Sequence, residues 1–192
     1  MNIFDKIFGK KKPIDEPIVE AYHDDLPPDS FFVEQFKNKG GKFLYTDDES
    51  EILVFLNKIL EENAWERVSC IDKDLQQKLK LTDTDIVQDA PVFFTKCEHL
   101  IVEDGSILFS SRQLKEEKLA QYPLDFIVFA TTSQLIRDKD KALTSIKYRC
   151  QSNIPTNISA IKDYLPNKVD PNFLNYGNTN SKNLYLLLFE DL

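Results

Sequence analysis

Glycine is scarce in this 192-residue sequence, which has five glycines, at positions 9, 40, 41, 105 and 177. Average usage is about 7%, and loops that cradle phosphate need clustered glycines so that the backbone can approach the anion. Neither a GxGxxG nor a GxxxxGKS/T motif occurs. The sequence therefore argues against a Rossmann dinucleotide site and against a P-loop.

Cysteine and histidine are too few for the common metal and thiol chemistries. The three cysteines, Cys70, Cys97 and Cys150, are widely spaced, unlike a disulfide framework. An iron–sulfur cluster usually needs four thiolates. Cys97 and His99 supply half a zinc site at most. A serine or cysteine nucleophile needs a base, and since His23 lies in a predicted linker, His99 is the one histidine left in the domain to serve. We expect no metal and no cofactor.

Long apolar runs and an excess of positive charge are absent as well. No segment approaches the ~20 apolar residues needed to span a bilayer, and the N-terminus, MNIFDKIFGKKK, has no run long enough for a secretory signal. The net charge of -8 and the pI of about 4.9 argue against binding to a nucleic-acid backbone. The sequence predicts a globular, cytoplasmic protein with no transmembrane segment.

Residues 1–27 are a predicted tail and linker, and residues 28–192 a single domain. The tail begins with apolar residues at helical spacing, followed by lysines. One interpretation is an amphipathic anchor on an anionic membrane surface. Two turns and three lysines make a weak anchor, which favours docking on the chain's own domain or on a second copy in a homo-oligomer. The residues concerned are Ile3, Phe4, Ile7, Phe8 and Lys10, Lys11 and Lys12.

The pattern of the domain predicts an α/β fold. Its first half alternates helix and strand, which is typical of a parallel sheet with crossover helices. Residues 126–131 and 184–189 are almost entirely apolar and are predicted to be buried strands. Helices are predicted at 134–149 and 153–164. The sequence therefore favours a mostly parallel central sheet with flanking helices.

The segment IVEDGSILFSS, residues 101–111, predicts a β-hairpin. Asp104 and Gly105 lie between apolar strands, and both tolerate the positive φ that a two-residue type I′ turn requires. Glu103 directly precedes them. Because a carboxylate nucleophile needs no histidine, Glu103 is the candidate catalytic residue, acting as a nucleophile or as a general acid or base.

Anion recognition is a second chemistry that the sequence offers. Arg112 follows the hairpin, and Asn153 and Thr156 lie at the start of a predicted helix. Backbone and side-chain donors at a helix start bind carboxylate or phosphate. The same residues equally suit simple helix capping. A small anionic ligand is therefore one expectation, with a purely structural role as its alternative.

The segment TKCEHLIVEDGSILFSS, residues 95–111, resembles the central segment of the LUD-domain family, the lactate-utilisation protein C-like proteins. That family typically has a threonine, an apolar strand and a Glu-Thr-Gly-Thr turn. Thr95 matches the threonine, and Asp104 stands where the turn usually has its first threonine. The other turn positions are occupied by Glu103, Gly105 and Ser106.

Other segments follow in the family's order and extend the resemblance to about residues 28–192. YPLDFIVF resembles the segment leading into an apolar strand, and NTNSKNLYLLLF resembles the closing turn and strand. SFFVEQFKNKGGKFLYTDDESEILVFLNKIL resembles the opening helix, double-glycine turn, strand and helix. SNIPTNISAI departs from the family, because it lacks the glycine and acidic residue of a Gly-Pro-Ser-x-Thr-Ala-Asp-Ile stretch. The chain is identified as a divergent member.

The resemblance implies an α/β fold of the NagB/RpiA/CoA-transferase type. It also implies an accessory component of lactate or organic-acid utilisation, acting with iron–sulfur oxidoreductase subunits and binding a small anionic metabolite. Two alternatives stay open: an enzyme of acyl or CoA transfer or sugar-phosphate isomerisation that uses Glu103, and a ligand-free structural module. The predicted ligand site combines Thr95, Gly105, Ser106, Arg112, Asn153 and Thr156.

Overall fold

The computed structural model describes residues 27–82, 85–86, 88–165 and 180–191. The amphipathic pattern predicted for the N-terminal tail lies outside these residues. None of the helices in the described ranges is long and apolar enough to cross a membrane. In chain order the helices are α1 (Pro28–Asn38), α2 (Glu49–Glu62), α3 (Lys73–Lys78), α4 (Ser111–Leu114) and α5 (Lys139–Cys150).

The strands form two four-stranded sheets. The main sheet is parallel, with the order β1-β8-β5-β2, and single bridges from Val68 to Ile86 and from Ser69 to Phe93 extend it beyond β2. The predicted α/β fold with a mostly parallel central sheet is confirmed. The strands are β1 (Lys42–Thr46), β2 (Val92–Lys96), β3 (His99–Ile101), β4 (Ser106–Phe109), β5 (Asp125–Thr131), β6 (Leu135–Ile136), β7 (Ser159–Ile161) and β8 (Asn183–Phe189).

The two central strands are buried on both faces. In β5 and in β8, five consecutive residues are buried, which explains their nearly unbroken apolar sequences. One face packs on α1 through Phe32 and Phe36, and the other packs on α2 through Ile52 and Leu56. Asp48 begins α2 by accepting a hydrogen bond from the Ser50 N–H at 2.8 Å.

The small sheet has the order β6-β3-β4-β7 and lies between the main core and α5. Leu100 and Ile107 face the main core, whereas Ile101 and Leu108 face α5. Because successive side chains of a strand point to opposite faces of the sheet, the same hairpin contributes residues to two hydrophobic clusters. The residues of α5 that are buried against it are Ala142, Ile146 and Cys150.

The predicted hairpin is confirmed, but its turn differs from the predicted type. β3 and β4 pair antiparallel, and the last pair, Ile101 with Ser106, leaves residues 102–105 as a four-residue loop. Gly105 has a φ of 64° and donates its N–H to the Ile101 carbonyl at 2.9 Å. Asp104 is not among the residues with positive φ. The Asp104 carboxylate instead accepts from the Ser106 N–H at 3.0 Å, which fixes a longer turn than type I′.

The helix predicted at 153–164 is wrong. The chain there runs as a loop and then forms β7, which pairs with β4. Asn157 has a φ of 49°, and its side-chain amide donates to the Lys115 and Glu117 carbonyls. Contacts with a segment about 40 residues earlier in the chain therefore override the local sequence pattern.

Asp191 ties the end of β8 to the turn that follows β5. Its carboxylate accepts hydrogen bonds from Thr132 Oγ1 at 3.0 Å, from the Ser133 N–H at 2.9 Å and from Ser133 Oγ at 2.7 Å. Burial acts to raise the pKa of this carboxyl, but the bonds from Ser133 and its neighbours outweigh burial and lower the pKa to about 2.

Asp191→Asn should destabilise the protein at neutral pH but not in acid. The folded pKa of Asp191 lies below the unfolded value of about 3.9. Its stabilisation is therefore present above about pH 4 and is lost as the pH falls towards 2. The carboxyl is largely exposed, so we expect only about 1 kcal/mol after solvent screening. Urea unfolding near neutral pH and near pH 2.5 checks this; a difference between wild type and variant that does not shrink in acid would contradict it.

Candidate functional site

The hairpin turn packs tightly against α1. A Cβ on Gly105 would lie 2.6 Å from the Phe36 backbone nitrogen, so only glycine fits here without a shift of the helix. The Tyr164 hydroxyl donates to the Gly105 carbonyl at 2.7 Å, and both residues are buried. The turn is thus held from two sides.

Asp104 is the polar centre of the turn. Its Oδ1 accepts from the Ser106 N–H and, at 2.5 Å, from Ser106 Oγ, and its Oδ2 lies 2.7 Å from Lys139 Nζ. Lys39 Nζ donates to the Asp104 carbonyl. Burial acts to raise the pKa of Asp104, but the bonds from Lys139 and Ser106 outweigh burial and lower the pKa. Asp104 therefore acts as a charged anchor of the turn.

The residues matched to the family turn have different environments. Glu103 is exposed, and its backbone N–H donates to the Arg137 carbonyl at 2.9 Å. Ser106 and Thr95 are fully buried. Ser106 Oγ is engaged by Asp104, and Thr95 Oγ1 donates to the Lys96 carbonyl at 3.2 Å. Their roles as catalytic or ligand-binding residues stay predictions.

A second polar cluster lies at the open end of the hairpin, which we call the hairpin base: Glu98, Ser110, Gln113 and Arg149. Glu98 follows the carboxyl end of β2, and its side chain is only 2% exposed. Its Oε1 accepts from Ser110 Oγ at 2.7 Å and from Gln113 Nε2 at 3.2 Å. Its Oε2 accepts from Arg149 Nη2 on α5, whose side chain is 47% exposed. A buried carboxylate thus orients a cation that reaches the surface.

His99 lies next to this cluster and is 7% exposed. Its Nδ1 lies 3.3 Å from the Gln134 carbonyl, and its Nε2 is buried with no hydrogen-bond partner among the described residues. Burial lowers the pKa of His99; the bond to Gln134 opposes this, and the Arg149 charge reinforces it. The imidazole is therefore neutral near pH 7, with Nδ1 as the donor.

The structure brings Arg112 and Thr156 together at the hairpin base, through Ser111. The Ser111 N–H donates to the Thr156 carbonyl at 2.8 Å, and the Thr156 N–H donates to Ser111 Oγ at 3.0 Å. The Arg112 N–H donates to Ser110 Oγ at 3.2 Å. Asn153 is exposed, just after the end of α5. The predicted anion-binding residues Arg112 and Thr156 are therefore neighbours, whereas no hydrogen bond among the described residues joins Thr95 to them.

The guanidinium of Arg112 is available for a ligand. It is exposed and makes no hydrogen bond or ion pair with any other residue that the structure describes. Hydrogen bonds join its backbone to Arg149 through Ser110 Oγ and the Glu98 carboxylate. The arrangement places two arginines on one hydrogen-bonded frame, and arginine is well suited to bidentate recognition of carboxylates.

Thiol and metal chemistry have little support at these positions. Burial raises the pKa of Cys97 far above its ordinary value and raises that of Cys70 to about 11, so both remain thiols at neutral pH. Across residues 27–82, 85–86, 88–165 and 180–191, no group of three His, Cys, Asp or Glu side chains is placed to hold a metal ion.

Sequence reasoning missed most of the hairpin base. Glu98 and Arg149 are 51 positions apart, and no local motif links them. One signal was available: Glu98 lies two residues beyond the end of β2, and polar residues at the carboxyl ends of parallel strands commonly line ligand crevices.

Comparison with known proteins gives one solved structure with a similar fold. No protein-family model matches the sequence, and no curated protein matches it. The similar structure is the crystal structure of a DUF162 family protein from Deinococcus radiodurans, with 11% sequence identity and a TM-score of 0.60, covering 86% of this chain and 99% of that chain. At this identity the likeness shows the fold alone: the chain has an α/β fold whose structural neighbour is a DUF162 family protein.

Proposed function

We propose that this chain is a cytoplasmic, LUD-type accessory component of organic-acid utilisation. It binds a small carboxylate at the hairpin base and acts with iron–sulfur oxidoreductase subunits. The observation that carries the proposal is the pair of arginines, Arg112 and Arg149, mounted on the hydrogen-bonded frame of Ser110 and the buried Glu98. The Glu98 carboxylate holds the Arg149 guanidinium in place, which reduces the ordering cost of binding a small anion, and Arg112 adds an exposed guanidinium on the same frame.

Two further points support the family part of the proposal. The DUF162 family of the structural neighbour corresponds to the LUD domain that the sequence resembles, although the match is distant. The chain has three cysteines, which is fewer than the four that a cluster usually needs. A subunit without its own cluster would depend on partner subunits for electron transfer, which fits an accessory role.

The alternative enzyme that uses Glu103 has less support. A carboxylate nucleophile or general acid works best in a site that excludes water, and the Glu103 side chain is exposed on the turn. The hairpin base holds its one buried carboxylate, Glu98, in hydrogen bonds to three side chains. That arrangement orients donors rather than leaving a carboxylate free to attack a substrate.

Thermal unfolding with added carboxylates tests the ligand part. L-lactate, pyruvate and acetate should each be compared with chloride at equal ionic strength. A ligand at 100 times its Kd stabilises by about 2.7 kcal/mol, so a binding carboxylate should raise the Tm of the wild type. Arg112→Gln should abolish the shift, whereas Lys147→Gln, which removes an exposed charge from α5, should keep it. Equal shifts in all three proteins, or in none, would refute the site.

Affinity purification of the tagged chain from its native cells tests the partner part. We expect an oxidoreductase subunit with the broad visible absorbance of an iron–sulfur cluster to co-purify at a fixed ratio. Recovery of the chain alone, under conditions where a known complex of the same cells stays intact, would refute the accessory role. The carboxylate site would then still be tested separately, by thermal unfolding.

A further inference from the structure

Thr156, beside the hairpin base, already holds a carboxylate that the chain itself supplies. Its Oγ1 lies 2.8 Å from Glu116 Oε1 and 3.1 Å from Glu116 Oε2, so both oxygens of the carboxylate face the same hydroxyl. A threonine hydroxyl has a single hydrogen to donate. Glu116 therefore takes the one donor that the Thr156 side chain offers.

The backbone turns Glu116 towards Thr156 and away from the nearest arginine in the sequence. Arg112 lies four positions before Glu116, which is the spacing of an ion pair on a continuous helix. However, α4 ends at Leu114, and Lys115 has a φ of 51°, in the left-handed region that residues with a side chain rarely adopt. The helix is thus broken between the two charges, and no ion pair joins them in the described part of the chain.

The loop is held in place on both sides of Glu116. The side-chain amide of Asn157 donates hydrogen bonds to the Lys115 and Glu117 carbonyls. These bonds fix the backbone of the two flanking residues. The Glu116 side chain itself is exposed, and its hydrogen-bond donor among the described residues is the Thr156 hydroxyl. An exchange of partner at Glu116 therefore involves the end of the side chain and leaves the backbone where it is.

We infer that the Glu116 carboxylate occupies, in the ligand-free chain, the position that the carboxylate of a ligand takes, and that the ligand binds by displacing it. The inference rests on the proposed carboxylate site. Hydrogen bonds through Ser111 hold Thr156 next to Arg112, a cation of that site. Glu116 satisfies the Thr156 hydroxyl without pairing with Arg112, whereas the carboxylate of a ligand can accept from both. An exposed hydrogen bond contributes little net stability, so the exchange is feasible.

Glu116 is thereby an autoinhibitory residue, because it competes with the ligand for the Thr156 hydroxyl. Removing its carboxylate should tighten ligand binding, and this gain should depend on that hydroxyl. The loss of any nearby negative charge also favours an anion, but that effect does not require the hydroxyl. A double-mutant cycle between residues 116 and 156 separates the two causes.

The experiment is a titration of the ¹⁵N-labelled full chain with sodium acetate and, separately, sodium L-lactate at constant ionic strength, following the amides of residues 110–113. Glu116→Ala should tighten binding about fivefold. Glu117→Ala removes the neighbouring exposed carboxylate and should change the Kd by less than about twofold. Thr156→Val should change the Kd little by itself, because ligand and Glu116 lose the same donor, and it should abolish the gain from Glu116→Ala. The side chains at 116, 117 and 156 are exposed, so each variant should fold.

The possible results separate this inference from the proposed function. A gain for Glu116→Ala that disappears with Thr156→Val supports the inference, and so does saturable binding that occurs in Glu116→Ala but not in the wild type. No gain, an equal gain for Glu117→Ala, or a gain that persists with Thr156→Val overturns the inference and leaves the carboxylate site in place. The absence of saturable binding in every protein overturns the inference and the carboxylate site together.

Discussion

Gly105→Ala is expected to lower the free energy of unfolding by about 3–4 kcal/mol. A φ of 64° places an alanine in the left-handed region, which costs about 1–2 kcal/mol. The added Cβ would also lie 2.6 Å from the Phe36 nitrogen and 2.8 Å from the Gln35 carbonyl carbon. Because these are backbone atoms of α1, the helix itself has to move. Urea unfolding followed by circular dichroism measures the loss.

Two variants separate the causes of this loss. Gly105→Asn tolerates positive φ but still carries a Cβ, so we expect it to remain destabilised by about 2 kcal/mol or more. Glu103→Ala lies in the same turn with an exposed side chain and should stay within about 0.5 kcal/mol of the wild type. A loss below about 1 kcal/mol for Gly105→Ala would show that α1 does not press on the turn.

Arg149→Met is expected to destabilise the fold by about 3 kcal/mol. The methionine keeps part of the packing of the arginine stem. Among the described residues it leaves Ser110 and Gln113 as the donors to the Glu98 charge, which is 2% exposed. An unpaired buried charge is the costly product of breaking such a pair. Half of the Arg149 side chain is in solvent, so the expected loss lies at the lower end of the usual range.

A double-mutant cycle identifies the cause. Adding Glu98→Gln to Arg149→Met removes the stranded charge while keeping a hydrogen-bonding side chain, so the double variant should be about 1–2 kcal/mol more stable than Arg149→Met alone. Arg112→Met, whose guanidinium is exposed, should change stability by less than about 0.5 kcal/mol. Strictly additive losses at residues 98 and 149 would mean that the two side chains do not form an energetically coupled pair.

The parts of the fold that local pattern controls were predictable. The apolar runs of β5 and β8 had to be central strands, because only a strand covered on both faces is apolar on both faces. Asp104-Gly105 between apolar segments had to be a turn. The type of turn was not predictable, because the Asp104–Lys139 pair and the contact of Gly105 with α1 join residues far apart in the chain.

The candidate site was predictable only in pieces. Arg112 and Thr156 could be predicted as anion-binding residues, because each is polar and lies beside a predicted element. In the structure Ser111 joins them, although the chain at 153–164 forms a loop and β7 instead of the expected helix. Glu98 and Arg149 carry no local signature, since their pairing depends on how α5 lies across the small sheet. Glu103 was the predicted catalytic residue because of its place in the turn. Its side chain is exposed, however, and the buried carboxylate at the hairpin base is that of Glu98.

The most direct test of the carboxylate site is to map where a small carboxylate binds to the ¹⁵N-labelled chain. We expect saturable amide shifts confined to residues 110–113 and 149–157. These shifts should be lost in Arg112→Gln, and the amide signals of the hairpin turn at 102–105 should not move. Shifts that cluster at the turn and survive Arg112→Gln, or no saturable shift with any carboxylate, would contradict the assignment of the hairpin base as the ligand site.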